Sequence, residues 1–281
     1  MAYYNGGDTI ANQFDALARQ EWNSAWEVIV SDNGSTDGSL AIVENYKGVL
    51  PNLRIVDSSD RQSRAHARNI GAIAATGEAF LFLDQDDEVA PGWLAAMSEA
   101  ISKYDFIACR VDTEKLNVSW VQQARLNRQR DGLMKYLYPP FLSHAAGCTL
   151  GVRRSIHEMV NGFDESFFSL DDTDYCWRIQ LTGMRLHFVP DAVLHYRYRK
   201  TFGEIYRQAR EYAEENVLLY KKYRSFGMPA LSWKDSAPYW LSLVKRLPKI
   251  HSRGELAKWI WDFGWRIGRL KGSIKYQVFA L

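Results

Sequence analysis

Cysteine is scarce in this chain. Three residues in 281, Cys109, Cys148 and Cys176, are odd in number and lack metal-site spacing, so they read as reduced thiols of a cytosolic protein. No run of about 18 apolar residues occurs, which leaves no segment suited to spanning a bilayer. No secretory leader is legible at the start. Repeats and low-complexity tracts are absent, so solenoid and disordered architectures are not expected. With 47% hydrophobic and 24% charged residues, the composition is that of an ordinary globular protein. It is long enough for one large core with an appended segment.

What is present is strongly patterned. The apolar run Ala79-Phe80-Leu81-Phe82-Leu83 stops on Asp84-Gln85-Asp86-Asp87. Three carboxylates where a buried strand leaves its sheet concentrate negative charge at the strand's C-terminal edge, where open α/β sheets bind ligands. Hard cations such as Mg²⁺ or Mn²⁺ take carboxylate oxygens and share them with substrate phosphates. The cluster therefore reads either as a metal-bridged diphosphate site or as a solvated acidic turn. Charge is also divided along the chain. Residues 1–195 hold 17 basic and 26 acidic side chains, a net −9, while residues 196–281 hold 18 and 7, a net +11. An acidic body with a basic tail suggests that the tail faces an anionic partner.

Strands and helices alternate through the body. Residues 26–31, 53–57, 79–83 and 105–110 read as strands, and stretches around Leu40 and Val43, over 64–76 and over 91–103 read as helices. This rhythm predicts a mostly parallel sheet with helices on both faces, with Asp32 and Asp84 on one rim. Residues 111–143 break the pattern. They are polar, carry Arg125, Arg128 and Arg130, and end in Tyr138-Pro139-Pro140-Phe141, an insertion of the kind that shapes specificity beside a site.

Several motifs stand in a telling order. They are Tyr4-Asn5, the turn Val30-Ser31-Asp32-Asn33-Gly34-Ser35-Thr36-Asp37, and Ala67-Arg68-Asn69-Ile70-Gly71. Then come Gly77-Glu78 leading into Phe82-Leu83-Asp84-Gln85-Asp86-Asp87, Gly162-Phe163-Asp164-Glu165, and Asp171-Asp172-Thr173-Asp174-Tyr175-Cys176-Trp177-Arg178. Over residues 3–196 the chain resembles the family 2 glycosyltransferases. The resemblance implies the GT-A fold: an α/β domain with a mostly parallel twisted sheet and helices on both faces, here over residues 1–198; residues 199–281 read from their own charge and spacing as a basic, Trp-rich helical extension. It also implies inverting, non-processive transfer of a sugar from a nucleoside-diphosphate donor, assisted by Mn²⁺ or Mg²⁺.

The same resemblance assigns roles. Asp32 is the expected base or ribose contact. The family's usual acidic pair is here Asp32-Asn33, so either could do the reading; Asn33 and Asp37 also suit turn formation and capping. Arg68 is expected on the donor phosphates, for which a guanidinium fork is well shaped, with Arg64 a weaker candidate. Asn69 is expected to order the metal loop. Asp86 is the expected direct metal ligand, Asp84 lies on the ribose or a metal-bound water, and Asp87 is an outer or turn residue. His195 is expected near the metal or diphosphate. Asp172 aligns with the general base, which takes the acceptor hydroxyl's proton opposite the leaving group; Gly147 and Asp171 fall on the acceptor side. Clustered carboxylates raise one another's pKa, which suits a base near neutrality.

Two departures stand out. The family's first strand is longer and apolar before its Tyr-Asn, whereas here Met1-Ala2-Tyr3 alone precede Tyr4-Asn5. Either the natural chain starts upstream of Met1 or the sheet is opened at its centre, and an opened centre predicts lowered stability or weakened donor binding. The Gln-x-x-Arg-Trp motif of processive synthases does not follow Asp172, which predicts addition of one or a few sugars.

In the tail, residues 200–225 read as a helix with Ile205, Ala209, Tyr212, Ala213, Asn216 and Leu219 on one stripe; Pro229 and Pro238 interrupt the stretch after it. From Gly254, Leu256, Trp259, Ile260, Phe263, Ile267, Leu270, Ile274 and Val278 recur at helical spacing, with Lys258, Arg266, Arg269, Lys271 and Lys275 off the stripe. Five of the ten tryptophans fall in 233–265. This predicts a helix lying on an anionic membrane surface, or else one docked on the body and weakened by Gly264, Gly268 and Gly272. Nucleic acid is not an expected partner, since the body has no matching basic face. The expected protein is a cytoplasmic glycosyltransferase, peripheral at the inner membrane face, using a glycan or lipid-linked acceptor. The alternatives are a nucleotidyltransferase, although Gly6-Gly7-Asp8 has no basic residue nearby, and a catalytically silent sugar-nucleotide or glycan-binding module.

Overall fold

The computed structural model describes residues 1–280, apart from the side chains at positions 233 and 235, so the expectation placed on Trp233 lies outside the described residues. The chain forms two compact units, residues 1–112, 128–134 and 143–196 in the first and residues 113–127, 135–142 and 197–281 in the second. Most of the 111–143 insertion thus clusters with the C-terminal helices.

The first half of the chain gives β1 (Ala2–Tyr3), α1 (Ile10–Ala18), β2 (Ile29–Asp32), α2 (Leu40–Asn45), β3 (Arg54–Asp57), α3 (Arg64–Ala74) and β4 (Ala79–Leu81). β5 (Glu88–Val89), α4 (Trp93–Lys103), β6 (Phe106–Asp112) and α5 (Ser119–Ala124) come next. The second half gives β7 (Leu150–Arg153), α6 (Arg154–Met159), α7 (Asp171–Leu181), β8 (His187–His195), α8 (Phe202–Tyr223), α9 (Trp233–Arg246) and α10 (Arg253–Lys275).

In the first unit, β1, β2 and β3 form a parallel sheet, with Tyr3 opposite Asp32 and Asp32 opposite Asp57. Every residue of β2 is buried, the pattern of a strand covered on both faces. The remaining strands form a five-stranded mixed sheet in the order β4-β7-β6-β8-β5, in which β6 and β8 are parallel. The parallel character expected from the sequence therefore belongs to residues 2–57, and the later half is mixed. One parallel bridge between Ala2 and Asp84 joins the two sheets. It places Asp32 and Asp84 on either side of β1. Ser63 caps α3 through its side chain, which accepts from the His66 amide. The acidic run at 171–174 is the first turn of α7, where carboxylates favour the helix dipole.

β1 is only two residues long. Beside it a cavity of about 560 Å³ opens between β2 and β4, lined by Trp22, Val28, Ile29, Ala72, Phe80 and Leu81 among others. The surrounding core is otherwise dense, with Phe14, Trp93, Met97 and Ile107 fully buried.

In the second unit, α8 opens with a capping box in which Thr201 and Glu204 satisfy each other's backbone amides, and Ser252 and Glu255 do the same for α10. α8 and α10 meet along a seam of glycines. A Cβ on Gly264, Gly268 or Gly272 would stand 2.9, 2.1 or 2.7 Å from the carbonyl oxygens of Tyr206, Arg210 and Glu214, one turn apart on α8. Glycine is therefore required for the backbones to approach this closely. The α10 residues buried by the packing are Gly254, Ala257, Gly264, Gly268, Arg269 and Gly272. The large apolar stripe, read as membrane-facing or else docked, is partly exposed, with Leu270 and Ile274 open to solvent. Lys271 and Lys275 flank the seam and pair with Glu214 at 3.0 and 2.7 Å. Among the described residues no helix is long and apolar enough to cross a membrane.

Candidate active site

The centre of the site is a buried arginine. Arg68, on α3, is 3% exposed; its Nη1 donates to Asp171 Oδ2 at 2.7 Å and its Nη2 to Asp84 Oδ1 at 2.8 Å. The strand-end acid and the helix-start acid are thus held by one guanidinium, which also lies over the Phe163 ring at 5.3 Å. The phosphate contact expected of Arg68 is not what the geometry favours, because its fork is occupied by carboxylates. Arg64, one turn earlier, lies 3.9 Å from Asp84 and 3.8 Å from Asp171 and keeps a third of its side chain accessible, so it is the guanidinium nearer solvent here.

The paired charges set the ionisation of the two acids in opposite directions. Burial pushes the Asp84 carboxyl up, but Arg68 and Arg64 outweigh it and hold the group below its ordinary value. Asp171 is fully buried, and burial, helped by Asp172 and Asp84, outweighs the same two arginines and raises it. Its second oxygen, Oδ1, has no hydrogen-bond partner.

Asp172 sits beside this pair at the start of α7. Its Oδ2 accepts from the Gly147 amide at 2.9 Å and its Oδ1 from the Thr173 amide at 2.6 Å, so backbone donors fix the carboxylate's plane. Gly147 touches both halves of the site. A Cβ there would fall 2.5 to 2.7 Å from the Arg68 guanidinium. Sequence alone put Gly147 on the acceptor side without indicating this close approach.

On the loop after β4, Asp86 is half-buried and Asp87 is buried. The oxygens of Asp84 and Asp87 and the sulfur of Cys148 lie within 4.8 Å of one another, a grouping that does not include Asp86. Burial raises the Cys148 thiol well above its ordinary value, with Asp87 and Asp84 adding to the shift, so it is a neutral thiol and a poor partner for a hard cation. Gln85, between the two acids of the motif, acts as a substitute strand residue: its side-chain amide donates to Tyr4 O and its carbonyl accepts from Tyr4 N, both at 2.7 Å. No sequence signal pointed to that.

His195 is the last residue of β8, opposite Glu88 on one side and Asp112 on the other. Its Nδ1 donates to Asp112 Oδ2 at 2.6 Å, which leaves Nε2 as the nitrogen for a ligand.

Asp32 and Asn33, at the end of β2, are both buried but differ in occupation. Asn33 Nδ2 donates to the carbonyls of Ser58 and Arg61, and its Oδ1 accepts from the Ser63 amide, so every polar position serves the backbone. Asp32 carries one weaker turn bond, Oδ1 accepting from the Ser35 amide at 3.1 Å. Asn69 requires a correction. It does not touch the acidic loop after β4. It holds the Gly162–Glu165 turn, donating to Phe163 O and Glu165 Oε1 and accepting from Phe163 N. Glu165 also meets His66 Nδ1 at 3.1 Å and Arg61 at 2.9 Å, a cluster that sequence reasoning missed because its members are nearly 100 positions apart.

Comparison with known proteins gives the same outline. The family described as Glycosyl transferase family 2 matches residues 1–160. Among curated relatives, the uncharacterized glycosyltransferase YibD of Escherichia coli (strain K12) is 32% identical over 117 residues, spanning 42% of this chain and 32% of the relative. Glycosyltransferase AglE of Haloferax volcanii is 26% identical over 211 residues, spanning 73% of this chain and 67% of the relative. The chain thus spans about a third of the length of the first and two thirds of the second. Among solved structures, the mannosyltransferase PcManGT from Pyrobaculum calidifontis in complex with GDP-Man and Mn²⁺ is similar at a TM-score of 0.65 and 17% identity, covering 96% of this chain and 85% of that one. S. aureus TarS 1-349 in complex with UDP-GlcNAc is similar at a TM-score of 0.56 and 18% identity, covering 100% and 91%. With more than half of its length matched and this fold, the chain belongs to the family 2 glycosyltransferases and has their GT-A architecture.

Proposed function

We propose that this protein transfers a sugar from a nucleoside-diphosphate donor to a hydroxyl of a glycan or lipid-linked acceptor, with inversion, and with Asp172 as the general base. The observation that carries this reading is the shared guanidinium: Arg68 binds Asp84 on the donor rim and Asp171 next to Asp172. Asp172 removes the acceptor proton as the acceptor oxygen attacks the anomeric carbon; the bond to the diphosphate breaks on the opposite face, and the nucleoside diphosphate leaves. Asp32, whose carboxylate is less occupied than the Asn33 amide, contacts the base or ribose. Arg64 takes the phosphate role in place of Arg68, which positions the acids.

The donor types, carboxylates and an imidazole, suit a divalent cation. Asp84 is kept ionised by its arginines, Asp86 is half-buried on the same turn, and His195 has Nε2 directed by its Asp112 contact. Asp86 and Asp84, with His195, would hold Mn²⁺ or Mg²⁺, which supplies charge neutralisation for the departing diphosphate. PcManGT binds GDP-Man and Mn²⁺, and TarS binds UDP-GlcNAc, which supports a nucleotide-sugar donor. Residues 1–198 are the catalytic domain in this reading.

We place the protein at the inner membrane face through α9 rather than through the stripe on α10. Leu241, Val244 and Leu247 are exposed at 54%, 64% and 49%, next to Lys245, Arg246 and Lys249. Release of nucleoside diphosphate from UDP-, GDP- and dTDP-sugars, assayed with Mn²⁺ and with chelator, tests the enzymatic reading. Chelator-sensitive release from one donor is expected. No release from any donor, with binding intact by thermal shift, would favour a silent sugar-nucleotide module.

A further inference from the structure

Two arginines of α10 have no part in the chemistry above. Arg266 and Arg269 stand one turn apart, Arg269 only 1% exposed and Arg266 half-buried. Arg269 Nε donates to Ala280 O at 2.6 Å and Nη1 donates to Asn216 Oδ1, but among the described residues Nη2 has no hydrogen-bond partner. Nη1 of Arg266, also buried, has none either.

Aromatic faces surround the pair without neutralising it. Arg266 lies over Tyr239 at 4.5 Å and Arg269 over Tyr138 at 5.1 Å, and these two rings meet edge to face at 5.4 Å. A ring face stabilises a cation but carries no net charge. Burial pushes the Tyr136 phenol up to about 12, so that neighbour is neutral too. Asp262, whose charge reaches Arg266, is already paired with Arg246 at 2.7 Å. Burial, and then each other's charge in the case of Arg266, draws both guanidiniums below their ordinary value. Among the described residues no unpaired carboxylate faces either guanidinium, and buried charges without a counter-ion carry a heavy desolvation cost.

We propose that Arg266 and Arg269 form a binding site for a phosphate-type anion, entered from the accessible side of Arg266. Guanidinium forks match phosphate oxygens in pairs. The phosphate is either that of an anionic lipid headgroup or a soluble phosphate.

Two assays on the full chain test this: thermal shift with inorganic phosphate against chloride at matched ionic strength, and co-sedimentation with phosphatidylcholine vesicles with and without phosphatidylglycerol. The variants are Arg266→Gln, Arg269→Gln, and Lys258→Gln as a control of equal charge change on an exposed position of α10. At phosphate about a hundredfold above Kd, the wild type and the Lys258 control should gain about 5 °C. Arg266→Gln should lose at least half of that gain. If Arg269→Gln does not fold, Arg266→Gln carries the test. A phosphatidylglycerol-dependent pelleting signal that Arg266→Gln halves identifies the lipid as the source; a phosphate shift halved without any change in pelleting identifies a soluble phosphate. The site is refuted if neither signal is halved by Arg266→Gln, or if Lys258→Gln reduces them equally.

Discussion

Asp84 and Asp171 accept hydrogen bonds from the two Nη atoms of one buried guanidinium, at 2.8 and 2.7 Å, although they lie on a strand end and a helix start that are distant in sequence. This contact ties the donor rim to the residue next to the proposed base. It makes Arg68 a positioning residue, which acts through the acids it holds.

Replacing Arg68 by Lys should therefore affect both sides of the site. A single ammonium cannot make two fork contacts, so one carboxylate is left buried without its partner, a loss of about 3–5 kcal/mol. Urea unfolding should show that loss, and sugar transfer should fall with a raised donor KM as well as a lowered kcat. A fall in kcat alone, with stability and KM unchanged, would contradict the shared role.

The glycine seam makes a paired prediction. Gly268→Ala places a Cβ 2.1 Å from the Arg210 carbonyl and should force α8 and α10 apart, costing about 1–3 kcal/mol. Gly203→Ala, on α8 with nothing within 4 Å of the new atom, should stabilise by up to about 1 kcal/mol through helix propensity. Thermal unfolding of the two variants separates close approach from propensity.

The cavity beside β1 should accept added bulk. Ala72, buried on α3, lines it, and Ala72→Leu should raise stability by about 0.5–2 kcal/mol. Equal or lower thermal stability would show that the space is not available to a side chain from that helix.

Acid should destabilise the first unit through His157. Burial, with Arg178 and Arg154, lowers its ring to about 4, against an ordinary 6.5. Between those values the unfolded chain binds a proton that the folded chain does not, so stability falls as pH drops from about 6.5 toward 4, by at most about 3 kcal/mol. Urea unfolding across that range should show a shallower slope for His157→Gln than for the wild type.

Much of the fold and the site is legible in the chain itself, for identifiable reasons. The alternation of apolar runs and helical stretches marks β2, β3, β4 and β6 with the helices α2, α3 and α4, because buried strands and amphipathic helices leave different periodicities; the two-residue β5 is too short to leave one. The collision of Phe80–Leu83 with Asp84 marks a rim because charge at the end of a buried strand needs an explanation. Which guanidinium faces inward is not legible: Arg64 and Arg68 are one turn apart on the same helix, and only the packed structure buries Arg68. The Asn69 role is hidden because its partners at 162–165 lie far along the chain. The apolar stripe of α10 is visible, but the glycines that read as weak points form its contact face.

The most direct measurement is steady-state sugar transfer by Asp172→Asn, with donor binding followed by thermal shift. If Asp172 is the base, kcat falls by about 10²–10⁴ with the donor shift and the fold intact, because only the proton acceptor is lost. Near-normal turnover with intact donor binding would contradict that role.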